Sequence, residues 1–399
     1  MTKRILLSVP HMGGSELPYV QDAFSSNWLS TIGPNLDRFE RRLEEVTGLP
    51  ALALSSGTAA IHLGLLALGV RPGDEVVCPS LTFVASANPI RYVGATPIFI
   101  DSESTTWNLD PEILSAFLRA RAAANRLPRA VEVVHLFGQC AQMNPILEVC
   151  SQFEIPVVED AAEALGATYD NRPAGTLGTV GTLSFNGNKI ITTTGGGALL
   201  ASQSCLLENA RKRSQQARDP GLAYEHSELG FNYRMSNVLA GIGLGQLDVL
   251  NLRVRQRRAN AFRYRAAFQD IHGVSLMPQA SSGLHTNWLS VFLIDERSFG
   301  CSRDRLIQRL DAAGVESRPV WKPMHMQPLF SSCEMIGGSV AADLFRRGIC
   351  LPSSSSLTLE EQLVVINAVR NSVSAPPLKE IPPLPEDLGL DEYTCAYSN

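Results

Sequence analysis

The feature that most constrains this chain is a hydrophobic period that keeps changing between residue 36 and residue 160. Leu36, Phe39, Leu43 and Val46 recur at helical spacing and stop at Gly48, which can take the left-handed cap conformation. The apolar run "ALAL" (51–54) follows at once. The exchange then repeats: a helical stretch over 58–68 ending at Gly69, a strand-like run at 75–78, a helix near 82–92 and another strand-like run at 97–100. Asp110-Pro111 reads as N-cap and first helical residue, and Asn144-Pro145 repeats the pair before "ILEVCSQF". Between these pairs lies "VEVVHLF", and "IPVVED" comes after them. Alternating strand and helix require crossover connections, so the expected fold class is α/β, with a large doubly wound, mainly parallel sheet covered on both faces. Ligands of such sheets collect at the carboxyl ends of the strands.

From about residue 249 the texture changes to an Arg-rich helix (251–269), then to segments such as "HTNWLSVFLID" and "SRDRLIQRLDAAG" that suggest a smaller α+β unit. The expected organisation is a large domain over 1–248 with an N-terminal arm, a small C-terminal domain over 249–374, and a Pro-rich acidic tail over 375–399. With 399 residues, 45% apolar and 18% charged, the chain can bury a core of that size. A net charge of -5 without a lysine-rich block gives no footprint for nucleic acid or an anionic membrane. The start "MTKRILLSVPHMGG" offers an apolar run of about six residues before Pro10, too short for a signal-peptide core. No stretch approaches the roughly 20 apolar residues that span a bilayer, so a cytoplasmic location is expected. The eight cysteines include no C-x-x-C pair, which argues against a zinc site or a disulfide framework, and no metal is expected.

Lysine usage narrows the chemistry. Of 34 basic residues only Lys3, Lys189, Lys212, Lys322 and Lys379 are lysine; the rest are arginine. Lys189 stands in "TLSFNGNKIITTTGGGALL", between two strand-like runs. Lysine can lose a proton near neutral pH and attack a carbonyl, which guanidinium cannot. In "ALALSSGTAAIHLGLLALG", Ser56, Gly57 and Thr58 open a helix directly after a strand, where free amides and the helix dipole suit a phosphate. "IPVVEDAAEALGA" ends a buried strand in Glu159-Asp160. Each signal has a plain alternative: a cap on a core helix, a helix-capping acid, a lysine at a hairpin edge. His62, among Leu and Ile, reads as a core histidine. Together, lysine, phosphate turn and acid match the needs of pyridoxal 5'-phosphate: an amine for the imine, an anion site, and a carboxylate that keeps the ring nitrogen protonated.

The motifs "SSGTAAIHLGLLALGVRPGDEVVCPSLTFVASANPI", "VEDAAEALGA", "SFNGNKIITTTGGGALL" and "LGFNYRMSNVLAGIGLGQL" resemble the DegT/DnrJ/EryC1/StrS sugar aminotransferases of fold type I, over roughly residues 8–370. The resemblance implies that Lys189 carries the cofactor and moves the substrate proton, for which its pKa must fall toward neutrality. It implies that Asp160 meets the ring nitrogen, Phe83 stacks on the ring, Glu163 lies near the ring hydroxyl at a helical step of three from Asp160, and Gly57, Thr58 and Ser184 hold the phosphate. Asn232 in "FNYRM" matches an amide supplied by the neighbouring subunit, which implies a homodimer with shared active sites. Arg234, Arg318 and His325 are candidate substrate contacts, with an interface salt bridge as the alternative for Arg234 and local loop bonding for His325. The G-G-G run would let the backbone pass close to the cofactor.

The implied activity is transfer of an amino group, from L-glutamate as expected donor, to a keto group of a nucleotide-linked deoxysugar for cell-surface glycan biosynthesis. The variant "FNGNKIITT" most resembles members that aminate C4 of UDP-4-keto-6-deoxy-N-acetylglucosamine. A 3-keto-sugar aminotransferase using dTDP- or GDP-sugars is the alternative. Lysine rather than the histidine of dehydratase relatives favours amino transfer. A non-catalytic regulator is disfavoured, because lysine and acid are both present and no basic helix-turn-helix module is evident.

Overall fold

The computed structural model describes residues 4–384. Helices α1 (Glu16–Ser25) and α2 (Pro34–Thr47) lead into strand β1 (Ala51–Leu54). Then α3 (Gly57–Ala67), β2 (Glu75–Pro79), α4 (Val84–Tyr92), β3 (Thr96–Ile100), α5 (Pro111–Ala123), β4 (Ala130–Val134), α6 (Met143–Gln152) and β5 (Val157–Asp160) follow the alternation expected from the sequence. A short hairpin, β6 (Thr168–Tyr169) and β7 (Arg172–Pro173), precedes β8 (Val180–Ser184) and β9 (Gly197–Leu200), and α7 (Ser204–Ser214) and α8 (Asn237–Leu247) come next. The second half comprises α9 (Leu250–Ala267), β10 (Val274–Leu276), β11 (Ser290–Ile294), α10 (Glu296–Phe299), α11 (Arg303–Ala312), β12 (Arg318–Pro319), β13 (Met335–Ile336), α12 (Ser339–Arg347), β14 (Gly348–Leu351) and α13 (Leu359–Asn371).

The large sheet has the order β1-β9-β8-β5-β4-β2-β3-β13. β9 runs antiparallel to both neighbours and every other pairing is parallel, as in a doubly wound α/β sheet closed by one reversed strand. That reversal matters, because it makes residues 185–196 a loop at the carboxyl end of β8, level with the carboxyl ends of β1, β2, β4 and β5. Helices α2, α5, α6 and α8 cover one face and α3, α4 and α7 the other. Small residues let α8 press on α2: a Cβ at Gly243 would come within 2.5 Å of the Phe39 ring. Phe39 in turn meets Phe185 edge-on at 5.3 Å between centroids, tying the core to the first residue of the 185–196 loop.

Of the two helix caps that the sequence reading expected, one forms and one does not. The Asp110 carboxylate accepts from the amides of Glu112 and Ile113, so the expected cap of α5 forms. Asn144 does not cap α6, which begins one residue earlier; its side-chain amide donates to Asp170 at 2.9 Å, while Pro145 sits in the first turn, where a missing N–H goes unfelt.

The smaller sheet is antiparallel, ordered β10-β11-β14-β12. Two segments cross between the halves. Ile5 bridges to Val315, and β13 adds to the large sheet beside β3. After α13 the chain doubles back: the Leu378 amide donates to the Asn367 side chain at 2.8 Å and Arg370 donates to the Pro376 carbonyl at 2.7 Å. The remainder of the expected acidic tail lies outside the described residues. No helix among them is long and apolar enough to cross a membrane.

Candidate active site

A cavity of about 270 Å³ opens at the carboxyl edge of the large sheet, where the sequence reading expected ligands to collect. The turn after β1 forms one wall. The Ser56 hydroxyl accepts from the Ala59 amide at 3.0 Å and so starts α3. The amides of Gly57 and Thr58 precede the first internal helix bond, have no protein acceptor among the described residues, and line the cavity. Ser184, the last residue of β8, lies beside them: a Cβ at Gly57 would meet the Ser184 Cβ at 3.0 Å. β9 can pass this turn only because it begins with glycine, since a Cβ at Gly197 would sit 2.4 Å from the Gly57 nitrogen. Its neighbours Gly195 and Gly196 line the cavity directly.

The tandem acids at the end of β5 point to opposite faces, as strand alternation dictates. Glu159 is structural. It accepts from the amides of Gly175, Leu177 and Gly178 and from His135 Nε2, the last at 2.7 Å, with all four groups away from the cavity. Asp160 faces the cavity. Its Oδ2 accepts from the Ser86 hydroxyl at 2.7 Å, its Oδ1 from the Ala162 amide at 3.1 Å. Thr82 lies 2.7 Å behind Ser86, so a chain of two buried hydroxyls fixes the carboxylate. Helix α4, which carries Ser86, is thereby aimed at the end of β5.

Lys189 projects from the 185–196 loop into the same space. Its Nζ lies 4.2 Å from the centroid of the Trp288 ring and 3.9 Å from Glu163 Oε1. Burial pushes the amine below its ordinary pKa; the carboxylates of Glu163 and Asp160 pull it back up, and the Arg257 guanidinium pushes it further down. Burial pushes the Glu163 carboxyl upward, against the pull of Lys189 and of the Phe137 amide that donates to it at 2.8 Å. The expected helix carrying Glu163 is absent. Residues 161–164 instead make a turn closed by the Ala164 amide on the Ala161 carbonyl at 2.9 Å, which still brings Glu163 to the cavity.

The expected residues divide into two sets. Gly57, Thr58, Phe83, Asp160, Glu163, Ser184 and Lys189 all line the one cavity. Phe83 is 47% exposed and leans on Trp321 with centroids 5.0 Å apart. Asn232, Arg234, Arg318 and His325 do not line it. Asn232 is exposed, in an isolated bridge with Gln215. Arg234 is buried and committed within its own chain, to Glu40 at 2.6 Å and the Ala53 carbonyl at 2.9 Å. Arg318 is exposed and paired with Glu316 at 2.8 Å, on an adjoining crevice of about 580 Å³ that shares Asn188, Trp288 and Trp321 with the main cavity. His325 Nδ1 bonds the Ser80 hydroxyl just beyond the end of β2 at 2.6 Å, a tertiary contact rather than a bond within its own loop, and burial pushes its pKa down. His62 is a core residue, as expected: it packs against Tyr92 and Phe231, and burial lowers its pKa to about 4.

Sequence reasoning did not find Thr82, Ser86, Asn188, Trp288 or Trp321. The first two stand inside the quoted motif "PSLTFVASANPI", where small hydroxyl residues around an aromatic are the available signal. The tryptophans arrive from the second half of the chain. Two buried polar atoms on the cavity wall, Asn188 Oδ1 and the Trp321 indole N–H, have no hydrogen-bond partner. The indole lies close enough to Glu163 to favour its charge without completing a bond. Free amides at one end, a fixed carboxylate at the other, an amine between them and unpaired polar atoms along the wall fit pyridoxal phosphate.

The comparisons agree with that fit. The chain is 48% identical over 374 residues to a putative pyridoxal phosphate-dependent aminotransferase, EpsN, of Bacillus subtilis, covering 92% of this chain and 96% of the relative. It is 38% identical over 357 residues to a GDP-perosamine synthase of Caulobacter vibrioides, covering 89% and 94%. A crystal structure of DesI in the presence of its TDP-sugar product superposes with a TM-score of 0.84 at 27% identity, covering 94% of each chain. The family model for the DegT/DnrJ/EryC1/StrS aminotransferases matches residues 10–370, and the chain belongs to that family.

Proposed function

We propose that this chain is a pyridoxal-phosphate-dependent aminotransferase that moves an amino group from L-glutamate to the C4 keto group of a UDP-linked 4-keto-6-deoxy-N-acetylhexosamine. The observation that carries the reading is the convergence of Lys189, Asp160 and the free amides of α3 on one cavity. Pyridoxal phosphate, when bound, supplies an electrophilic aldehyde and a ring that accepts electrons. The chain's own groups do the rest. Gly57, Thr58 and Ser184 hold the phosphate through first-turn amides and a hydroxyl. Asp160, braced by Ser86, accepts from the ring N–H and keeps that nitrogen protonated. Phe83 would cover one ring face, and Glu163 would meet the ring hydroxyl, both from the cavity wall. The Lys189 amine would take the proton from the donor's α-carbon as general base and, as the ammonium it then becomes, would give it back as general acid. Burial suits it to that work, because a neutral amine is needed at the start.

Arg318 and Lys322 border the adjoining crevice, and we assign that side to the diphosphate and nucleotide. Asn232, exposed and outside its own chain's cavity, fits a second copy's site, so the working unit is a homodimer acting in the cytoplasm. A second reading keeps the chemistry and changes the sugar to a GDP- or dTDP-linked one, at C3 or C4; the likeness to a GDP-perosamine synthase favours it. The test is a panel of UDP-, GDP- and dTDP-linked 3- and 4-keto sugars with glutamate as donor. Turnover confined to the UDP-linked 4-keto sugar is expected, and turnover only with GDP- or dTDP-linked sugars overturns the first reading. Borohydride reduction of the loaded protein and peptide mapping should place the cofactor on Lys189.

A further inference from the structure

Arg257, in the middle of α9, is 1% exposed and has no carboxylate partner among the described residues. Its guanidinium donates only to neutral oxygens: the carbonyls of Trp288 at 2.6 Å, Ser353 at 3.1 Å and Lys189 at 3.4 Å, and the Ser8 hydroxyl at 3.1 Å. Its Nε has no partner at all. Burying a cation without a counter-charge is unfavourable, so a packed helix that keeps one needs a reason for it. Burial, and then Arg253 on the same helix, lower its pKa to about 9, which leaves it charged at neutral pH.

The bonds reach the turn that carries the amine from several directions. The carbonyl of Asn188 accepts from the Ser8 hydroxyl at 2.7 Å and from the Trp288 indole at 2.7 Å. Arg257 holds both of those donors and the Lys189 carbonyl as well. The N-terminal arm, the 185–196 loop and the entry to β11 therefore meet at one planar fork, a job that lysine's point charge does not do. The Lys189 amine then rests over the ring of the same Trp288.

We propose that Arg257 is a positioning residue for Lys189: it fixes the turn that presents the amine and sets a positive charge beside it. The inference rests on the reading of Lys189 as the amine that carries the cofactor. Lys189 is faced by Glu163 and Asp160 from the β5 side, which favour its ammonium, and by Arg257 from α9, which opposes it. Arg257 is faced by Arg253 on its own helix and by His11 of the arm, whose own pKa both arginines lower. Without Arg257 only burial opposes the carboxylates, and the amine should hold its proton to higher pH.

The test follows trace acetylation of the cofactor-free, full-length protein from about pH 6 to about pH 11, a range that brackets a depressed lysine pKa. With five lysines in the chain, the Lys189 peptide is easily resolved. Arg257→Gln should raise the Lys189 midpoint and so lower the fraction of neutral amine at a given pH. The pH midpoint of the visible absorbance of the cofactor-loaded protein should move the same way. Arg257→Lys, which loses the fork and can shed its proton at this buried site, should weaken cofactor binding. An unchanged midpoint in folded Arg257→Gln overturns the proposal. If Arg257→Gln does not fold, Arg257→Lys decides through binding: weakened cofactor binding in the folded protein supports the proposal, and native binding overturns it. Borohydride mapping keeps the two readings apart, since a cofactor on another lysine sinks the functional reading, whereas a cofactor on Lys189 with an unmoved midpoint sinks only this inference.

Discussion

Replacing Ser86 by alanine removes one hydroxyl and isolates what holds Asp160. The Ser86 hydroxyl donates to Asp160 Oδ2 at 2.7 Å, and both groups are buried, with exposures of 2% and 5%. A hydrogen bond to a charged group contributes about 1.5–3 kcal/mol. Asp160 keeps the Ala162 amide on its other oxygen, so the loss should fall near the lower end of that range, about 1.5 kcal/mol. Thr82 also loses the acceptor it had in Ser86, which adds to the destabilisation of the fold rather than of the site. With the brace gone the carboxylate can turn away from the ring nitrogen, and binding must then pull it back. At about 1.4 kcal/mol per tenfold, cofactor affinity should drop roughly tenfold. The assay is a titration of pyridoxal phosphate into cofactor-free protein, read by quenching of tryptophan fluorescence, since Trp288 and Trp321 line the cavity. Thr82→Val serves as a partial control, because it leaves the Ser86–Asp160 bond in place. Cofactor affinity within twofold of the native chain in a folded Ser86→Ala protein would refute the bracing role.

Two further outcomes separate structural from functional groups. Arg234→Met breaks a buried pair with Glu40, whose side chains are 5% and 13% exposed, and should lower stability by about 3 kcal/mol in urea unfolding while leaving KM for the sugar unchanged; a raised KM at native stability would return Arg234 to the substrate. His285 is fully buried, and burial lowers its pKa to about 3. The native state therefore prefers the neutral ring: the stability it contributes is complete above the unfolded pKa near 6.5 and is lost as pH falls toward 3. Between about pH 6.5 and pH 5 this amounts to about 2 kcal/mol, and His285→Gln should flatten that part of the urea-midpoint profile; parallel profiles for both proteins would show that His285 is not the group responsible.

The alternation between residues 36 and 160 is legible because the elements there are short and apolar and several are ended by a glycine, an aspartate or a proline, as at Gly48, Gly69, Pro79, Gly94, Asp101 and Asp160. Once that order is known, the ends of β1, β5 and β8 must share one edge, and the residues just beyond them must meet. Gly57, Thr58, Asp160, Ser184 and Lys189 all lie at such ends, which is why local reading brought them together. Arg234 was not legible in the same way. Its partner Glu40 is 194 positions away on α2, and nothing in "FNYRM" distinguishes a guanidinium that reaches a ligand from one that reaches another helix. Asn144 shows the limit of a local rule, since Asn before Pro suits a cap, yet the side chain found Asp170 across a tertiary contact.

Lys189 shows where local legibility stops and tertiary control begins. Its place in the fold follows from the sequence around it, because a loop between two consecutive strands must fall at the end of β8. Its chemistry does not. The shift that frees the amine comes from burial against Trp288 and from the opposed charges of Glu163, Asp160 and Arg257, which the chain delivers from β5 and α9. The reversed strand β9 makes this control achievable. By returning antiparallel beside β8, it folds 185–196 back on itself, so that the carbonyls of Asn188 and Lys189 meet Ser8, Trp288 and Arg257 while the Thr192 amide is held by Gln246 of α8.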